Sequence, residues 1–335
     1  MIRCKDIAVI VGVSRQAVTA VLNNSRPNCV SREKRAEILK IAAEHNYRPD
    51  HAAVALKTGK SRMIGVVMPP WENPYNAELC MAIQRNLAAR NYTPFFAIDN
   101  NYNPVPGNLE QLLSLHVTGL ITVAAPILPD NIDIPVVSYF HDDPRFDSVC
   151  PNPERDARQI IEYLKKCGHR KIGYLGKLSD PRVRQLVSEA KRCGLKFHER
   201  WQIGFPDSQQ ADCGRMTPAN NAFALLRERN RGKDLPTALI FNSDSRALNM
   251  MHCIRECGFR IPEDFSIIGH GNIPYCITTV PALTSMSEGT PDEIAESLVC
   301  LLMERMENPG KPREKVLLKA ELIERESVLN LRNKP

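Results

Sequence analysis

Along the first 47 residues, apolar positions recur at helical spacing in three short runs. Ile7, Ile10 and Val11 fall at i, i+3 and i+4 within Asp6 to Val11, a narrow apolar stripe. Gly12-Val13-Ser14 breaks that run. The glycine supplies a turn, and the Ser14 hydroxyl caps a second helix, about Arg15 to Leu22, with Val18, Val21 and Leu22 on its inner face. Asn23 to Asn28 is a polar loop. A third helix, capped by Ser31, turns Ile38, Ile41 and Ala42 inward. It ends at Tyr47-Arg48-Pro49-Asp50, because the residue before a proline is pushed out of the helical region. Two helices joined by a tight glycine turn and braced by a third form a helix-turn-helix. Asp50 then caps His51 to Lys57, a run well below the roughly 12–15 residues that hold a helix alone in water. It is expected to be helical only when something packs against it.

From Met63 the texture changes to strand-length apolar runs separated by amphipathic stretches. Met63–Met68, Phe95–Ile98, Gly119–Val123 and Ile134–Ser138 form one series, with Asn76 to Asn91 and Leu109 to Leu115 as helices among them. Lys171–Leu175, Trp201–Gly204, Ala238–Phe241 and Ser266–Gly269 form a second. Repeated strand-helix-strand units predict parallel sheets covered on both faces, with ligands at the carboxyl ends of the strands. The fold class is therefore α/β: an all-α head followed by two doubly wound parallel-sheet subdomains.

Charge divides the chain at the same place. Residues 1–62 hold 12 Lys+Arg against 5 Asp+Glu, a net of +7, and the remaining 273 residues carry −1. A basic module on a neutral body points to an anionic partner for the module alone, nucleic acid first and a membrane surface second. The 335 residues suggest two or three domains, and 43% hydrophobic residues exclude a disordered chain. No run approaches the roughly 18 apolar residues of a membrane span, and the first twenty residues lack a secretory apolar region. The expectation is a cytoplasmic protein with no membrane partner. Eleven cysteines, an odd number without C-x-x-C pairs, suit reduced thiols. Cys253 and Cys257, one helical turn apart near His252, are too few for a zinc site, which needs three or four converging ligands. No metal and no cofactor are expected. Nucleophile-elbow, phosphate-loop, dinucleotide and H-E-x-x-H motifs are absent, so an enzyme is not expected, and His169 in the Gly168-His169-Arg170 turn reads as structural.

The chain resembles the lactose/galactose repressor (LacI/GalR) family of bacterial transcription regulators over nearly its whole length. The likeness rests on Asp6-Ile7-Ala8, Gly12-Val13-Ser14, Val21-Leu22-Asn23, Val30-Ser31 and Asn46 to Asp50 in the head. In the body it rests on Ile64 to Pro69, Asn73-Pro74-Tyr75, Gly168 to Gly173, Pro236-Thr237-Ala238, Asp244, Ile261 to Gly269 and Pro281 to Thr284. The resemblance implies a helix-turn-helix DNA-binding domain at 1–47, a hinge helix at 48–60, and an effector-binding, dimerising core at 61–335 built like the periplasmic sugar-binding proteins. Within that core one subdomain spans about 61–155 and 286–318, the other about 156–285 and 319–335.

On this likeness Arg15 and Gln16 open the recognition helix and contact bases in the major groove. Arginine matches the two acceptors of guanine, and glutamine the donor-acceptor pair of adenine. Thr19 and Asn23 lie along the same side. Ser14 and Ser31 are caps whose helix N-termini can also face phosphates. Lys5 is a candidate phosphate contact, together with Arg3, Arg32, Lys34 and Lys57. Leu56 stands where the family wedges a leucine into the minor groove, and Ala53 beside it is small enough for two hinge helices to meet. Ala20 replaces a frequent arginine, and Arg3 replaces a capping threonine. For the cleft, the resemblance implies Arg184 and Asp244 as effector ligands. Pro70, Phe140 and Gly271-Asn272 stand where the family carries carboxylates, while Glu288 returns one where glutamine is frequent. With Trp71 and Tyr75 nearby, the cleft of Trp71, Tyr75, Phe140, Arg184, Asp244, Asn272 and Glu288 is expected to take a carbohydrate gripped by aromatic stacking, a less polar molecule, or no effector at all. The implied function is a homodimeric repressor on a palindromic double-stranded DNA operator, its affinity modulated by that effector. The alternative is a cytoplasmic solute receptor with no sequence-specific role on DNA.

Overall fold

The computed structural model describes residues 2–22, 29–47, 61–69, 73–98, 106–123, 128–204, 216–231 and 233–333. The expected hinge helix at 48–60, and with it Ala53 and Leu56, lies outside the described residues, as do Asn23, Pro70 and Trp71. The chain divides into two units, Met1–Ser61 and Arg62–Pro335.

Among the described residues the first unit has three helices: α1 (Cys4–Val11), α2 (Arg15–Leu22) and α3 (Arg32–Glu44). Asp6 reaches back to accept the Arg3 backbone N–H at 2.9 Å, so α1 is capped without the usual hydroxyl. Gly12, at φ 67°, ends α1 in the left-handed region open to glycine. Ile7, Ala8 and Val11 meet Val18, Val21, Ile38, Ile41 and Ala42 in one small core. Ile10, expected on that stripe, is instead 55% exposed. A helix of eight residues, about two turns, presents one narrow strip, and Ile7, Ala8 and Val11 fill it.

The second unit contains two six-stranded sheets. The first has the order β11-β5-β4-β3-β1-β2, with β1 at Met63–Met68, β2 at Thr93–Ile98, β3 at Gly119–Val123, β4 at Val136–Tyr139, β5 at Asp147–Cys150 and β11 at Lys315–Leu317. All of its pairings are parallel. One face packs on α4 (Pro74–Ala89) and α10 (Pro291–Glu307) through Ile64, Val66, Leu79, Ile83, Leu298 and Leu302. The other buries Val67 and Leu120 under Leu109 and Leu112 of α5 (Pro106–Ser114). Burial on both faces is why these strands read as unbroken apolar runs instead of alternating ones.

The second sheet has the order β12-β10-β9-β8-β6-β7, with β6 at Ile172–Gly176, β7 at Gln202–Gly204, β8 at Ala238–Phe241, β9 at Ser266–His270, β10 at Thr284–Ser287 and β12 at Glu321–Ile323. Among the described residues of this sheet, only the β10–β12 pairing is antiparallel. Leu239 and Phe241 face α8 (Met216–Arg229) and α9 (Asp244–Glu256), while Ile240 faces α6 (Pro153–Lys166) and α7 (Pro181–Arg192). The chain passes between the sheets three times: from β5 to α6, from β10 to α10, and from β11 to β12.

Candidate functional site

In the head, Ser14, Arg15 and Gln16 are exposed on the leading turn of α2, with Val18 buried behind them. The Ser14 hydroxyl accepts the Ala17 N–H at 3.1 Å, and the Thr19 hydroxyl donates to the Arg15 carbonyl at 2.9 Å. Ser31 caps α3 by accepting the Lys34 N–H at 3.3 Å. Lys5 is exposed on α1. Lys34 departs from its expected role as a phosphate contact. Its ammonium turns inward and donates to the Val11 and Gly12 carbonyls at 3.0 and 3.3 Å, so it closes the C-terminus of α1, where a cation is favoured by the helix dipole.

In the second unit, side chains of both sheets converge beyond the carboxyl ends of the strands. Asn73 caps α4 and sets Tyr75 in its first turn. The Tyr75 hydroxyl meets that of Tyr139, which donates to Glu288 Oε2 at 2.9 Å. His270 Nε2 donates to Glu288 Oε1 at 2.8 Å. This relay joins α4 and β4 of one sheet to β9 and the end of β10 of the other. Burial alone would raise the Glu288 carboxyl, but the hydrogen bonds and charges of its partners hold it below the usual carboxylate range. Burial and the Glu288 charge push both tyrosines well above theirs.

Phe140 follows β4 at φ 75°, and the Arg182 guanidinium lies over its ring at 5.4 Å. Arg182 also grips Asp180 with two nitrogens, at 3.0 and 2.6 Å, and its Nη1 has no partner among the described residues although Arg182 is only 9% exposed. Asp156, in the first turn of α6, is 2% exposed, and neither of its oxygens has a partner among the described residues. Burial pushes its carboxyl up to about 6, with the charges around it as smaller influences. Asp156, Arg182, Tyr174, Asn242 and His270 line one small cavity with Ile160, Leu186 and Ile240. A deep carboxylate and a guanidinium N–H, both unanswered in one cavity, mark a place for a ligand with polar groups.

Three expectations are corrected here. Arg184 is exposed: α7 turns residues 182, 183, 186 and 190 inward, and helical phase carries 184 outward. The arginine that α7 turns inward, over the Phe140 ring, is Arg182. Asp244 is an internal anchor: its carboxylate accepts the Ser285 hydroxyl at 2.6 Å and the Ile273 N–H at 3.0 Å, while Ser243 caps α9. Burial raises its carboxyl. Asn272 belongs to the same knot, its amide oxygen accepting from Arg325 at 2.6 Å and its N–H donating to Ser285. Tyr75, Phe140 and Glu288 do come together. Tyr139, Asp156, Asp180, Arg182 and His270 were missed, and Asp156 makes the cleft richer in carboxylate than the sequence suggested. The inward phase of Val183, Leu186 and Ala190 could have singled out Arg182; nothing comparable marks Asp156. Cys253 is buried while Cys257 is exposed, so the pair does not converge.

Two family descriptions match the chain: "Bacterial regulatory proteins, lacI family" over residues 3–50 and "Periplasmic binding protein-like domain" over residues 161–328. Among curated proteins, the HTH-type transcriptional repressor PurR of Pasteurella multocida is 28% identical over 344 residues, covering 98% of this chain and 99% of that protein. PurR of Mannheimia succiniciproducens is 26% identical over 345 residues, with the same coverage. Among solved structures, the lac repressor dimer bound to operator and the anti-inducer ONPF aligns with a TM-score of 0.79 at 22% identity, over 98% of this chain and 99% of that one. The transcriptional regulator CelR in complex with cellobiose aligns at 0.66 and 19% identity, over 98% and 100%. Among the described residues, no helix is long and apolar enough to cross a membrane.

Proposed function

Since this chain belongs to the LacI family of bacterial regulatory proteins and carries a periplasmic-binding-protein-like domain, we propose that it is a transcriptional repressor and not an enzyme. It binds a palindromic operator as a homodimer, and a small molecule in the cleft changes its affinity. The observation that carries this reading is the leading turn of α2: Arg15 and Gln16 exposed side by side, on a helix fixed by the burial of Val18 and Val21. A helix enters the major groove with such a turn first, and the two side chains are suited to guanine and adenine edges. Thr19, Ser14, Ser31 and Lys5 surround them as candidate backbone and phosphate contacts, and the reading extends to Asn23, Ala53 and Leu56 on sequence alone. The effector stacks on Phe140, contacts Tyr75, and offers an acceptor to Arg182.

Selection of binding sites from random duplex DNA by the purified full-length protein tests it. A two-fold symmetric consensus is expected, and Arg15→Ala should weaken binding to it roughly 5- to 150-fold, corresponding to about 1–3 kcal/mol. Binding that stays indifferent to sequence would overturn the proposal.

A further inference from the structure

We propose that Asp156, His270 and Glu288 form a binding site for one first-row divalent metal ion of the Zn²⁺ class, set in the wall of the cleft. Each of the three offers a ligand atom, and these atoms all lie within 4.8 Å of one another. Ligands about 2.1 Å from a shared ion stand roughly 3–4 Å apart, so small side-chain rotations close the set. His270 and Glu288 are already in hydrogen-bond contact at 2.8 Å.

The independent observation is Asp156. A carboxylate removed from water without a hydrogen-bond donor is strongly unfavourable, yet Asp156 is 2% exposed with both oxygens unanswered and lines the same cavity as His270. The surrounding side chains agree: Asp180 is paired with Arg182, which leaves Asp156 and Glu288 as the carboxylates grouped with His270. An imidazole with two carboxylates is a donor set for Zn²⁺, Fe²⁺, Co²⁺ or Mn²⁺ and a poor one for Mg²⁺, which keeps to oxygen ligands and its own water. On binding, the His270 proton moves from Nε2 to Nδ1, freeing the Nε2 lone pair for the ion. Glu288 keeps its orientation through the Tyr139 hydroxyl, the kind of outer support that metal-ligating carboxylates use.

The inference goes beyond the operator-and-effector reading and does not depend on it, because metal uptake is read on the free protein. The full-length protein is stripped with chelator, its thiols blocked, and titrated with Zn²⁺, Co²⁺ and Mg²⁺ by calorimetry. One Zn²⁺ per chain is expected, with Co²⁺ giving visible ligand-field bands free of thiolate charge transfer, and no heat from Mg²⁺. Asp156→Asn, which preserves shape, and His270→Gln should each weaken Zn²⁺ binding at least tenfold. Both should also abolish the rise in melting temperature that Zn²⁺ gives the native protein. Lack of stoichiometric uptake by the native protein, or uptake unchanged in a variant whose melt is cooperative, overturns the proposal. Should Asp156→Asn fail to fold, Glu288→Gln and His270→Gln carry the same comparison.

Discussion

Arg182 and Asp180 offer a way to separate what the cleft keeps for its ligand from what it needs for folding. The guanidinium spends Nε and Nη2 on Asp180, touches Phe140, and leaves Nη1 unanswered. Asp180 is also the N-cap of α7, accepting the Arg182 N–H at 2.9 Å. Removing the cation alone, as in Arg182→Met, strands a carboxylate that is 10% exposed. A loss of about 3–5 kcal/mol is expected, as for other broken buried pairs. Removing both charges, as in Asp180→Ser with Arg182→Met, leaves a hydroxyl that still caps the helix and an apolar chain of similar length. The double change also removes the orphaned Nη1, whose burial costs about 1–3 kcal/mol. The double variant should therefore lie within about 1 kcal/mol of the native protein, a coupling of several kcal/mol. Urea unfolding followed by circular dichroism on the full-length chain measures this. Any ligand that raises the native melting temperature should lose that effect in the double variant. If the double variant is destabilised by about 3 kcal/mol or more, the pair is a structural element and its free N–H does not await a ligand.

Three further outcomes follow from particular residues. His169 is 1% exposed and held neutral between Thr237 and the Leu329 carbonyl, with burial lowering it to about 4. Its unfolded form takes up a proton below about 6.5 while the folded form does not, so this residue's contribution falls as pH drops from about 6.5 towards 4, by up to about 3 kcal/mol. The difference between the native protein and His169→Asn across that window isolates it; a difference independent of pH refutes the assignment. Gly269→Ala would drive a Cβ into the Asp244 carboxylate and to 3.0 Å from Leu283. It should cost at least about 1–3 kcal/mol in thermal unfolding, and a silent substitution would show that the knot yields. Lys34→Met should destabilise the head yet leave the salt dependence of operator binding unchanged, whereas Lys5→Met should reduce that slope by about 0.9; equal slopes in both variants would contradict the inward ammonium.

How much of this was legible beforehand depended on local physics. The head was legible because Gly12, Ser14 and Ser31 punctuate it and Val18 and Val21 keep helical phase. Strands β1, β3, β8 and β9 were legible because burial on both faces leaves apolar runs. Strands β5, β10, β11 and β12 do not stand out in the sequence: Asp147-Ser148-Val149-Cys150 is buried yet half polar, its aspartate answered by Arg305 from far along the chain at 2.8 Å. The cleft was read only in part. Tyr75, Phe140 and Glu288 sit beside motifs, whereas Asp156 and His270 become neighbours only when α6 and β9 pack together. Arg184 went wrong by half a helical turn, a displacement that a loose loop before a helix leaves undetermined.

The three passages between the sheets, at 150 to 153, 287 to 291 and 317 to 321, have a mechanical meaning. Two bodies tied by one thread can swivel about any line. Tied by three short ones, they keep a single soft coordinate, a bend about the axis the threads share. Glu288 is the first residue of one of those threads. Its carboxylate, held by Tyr139 of one sheet and His270 of the other, therefore sits at a tie between the two bodies, where each opening or closing of the joint must stretch or relax that pair of bonds.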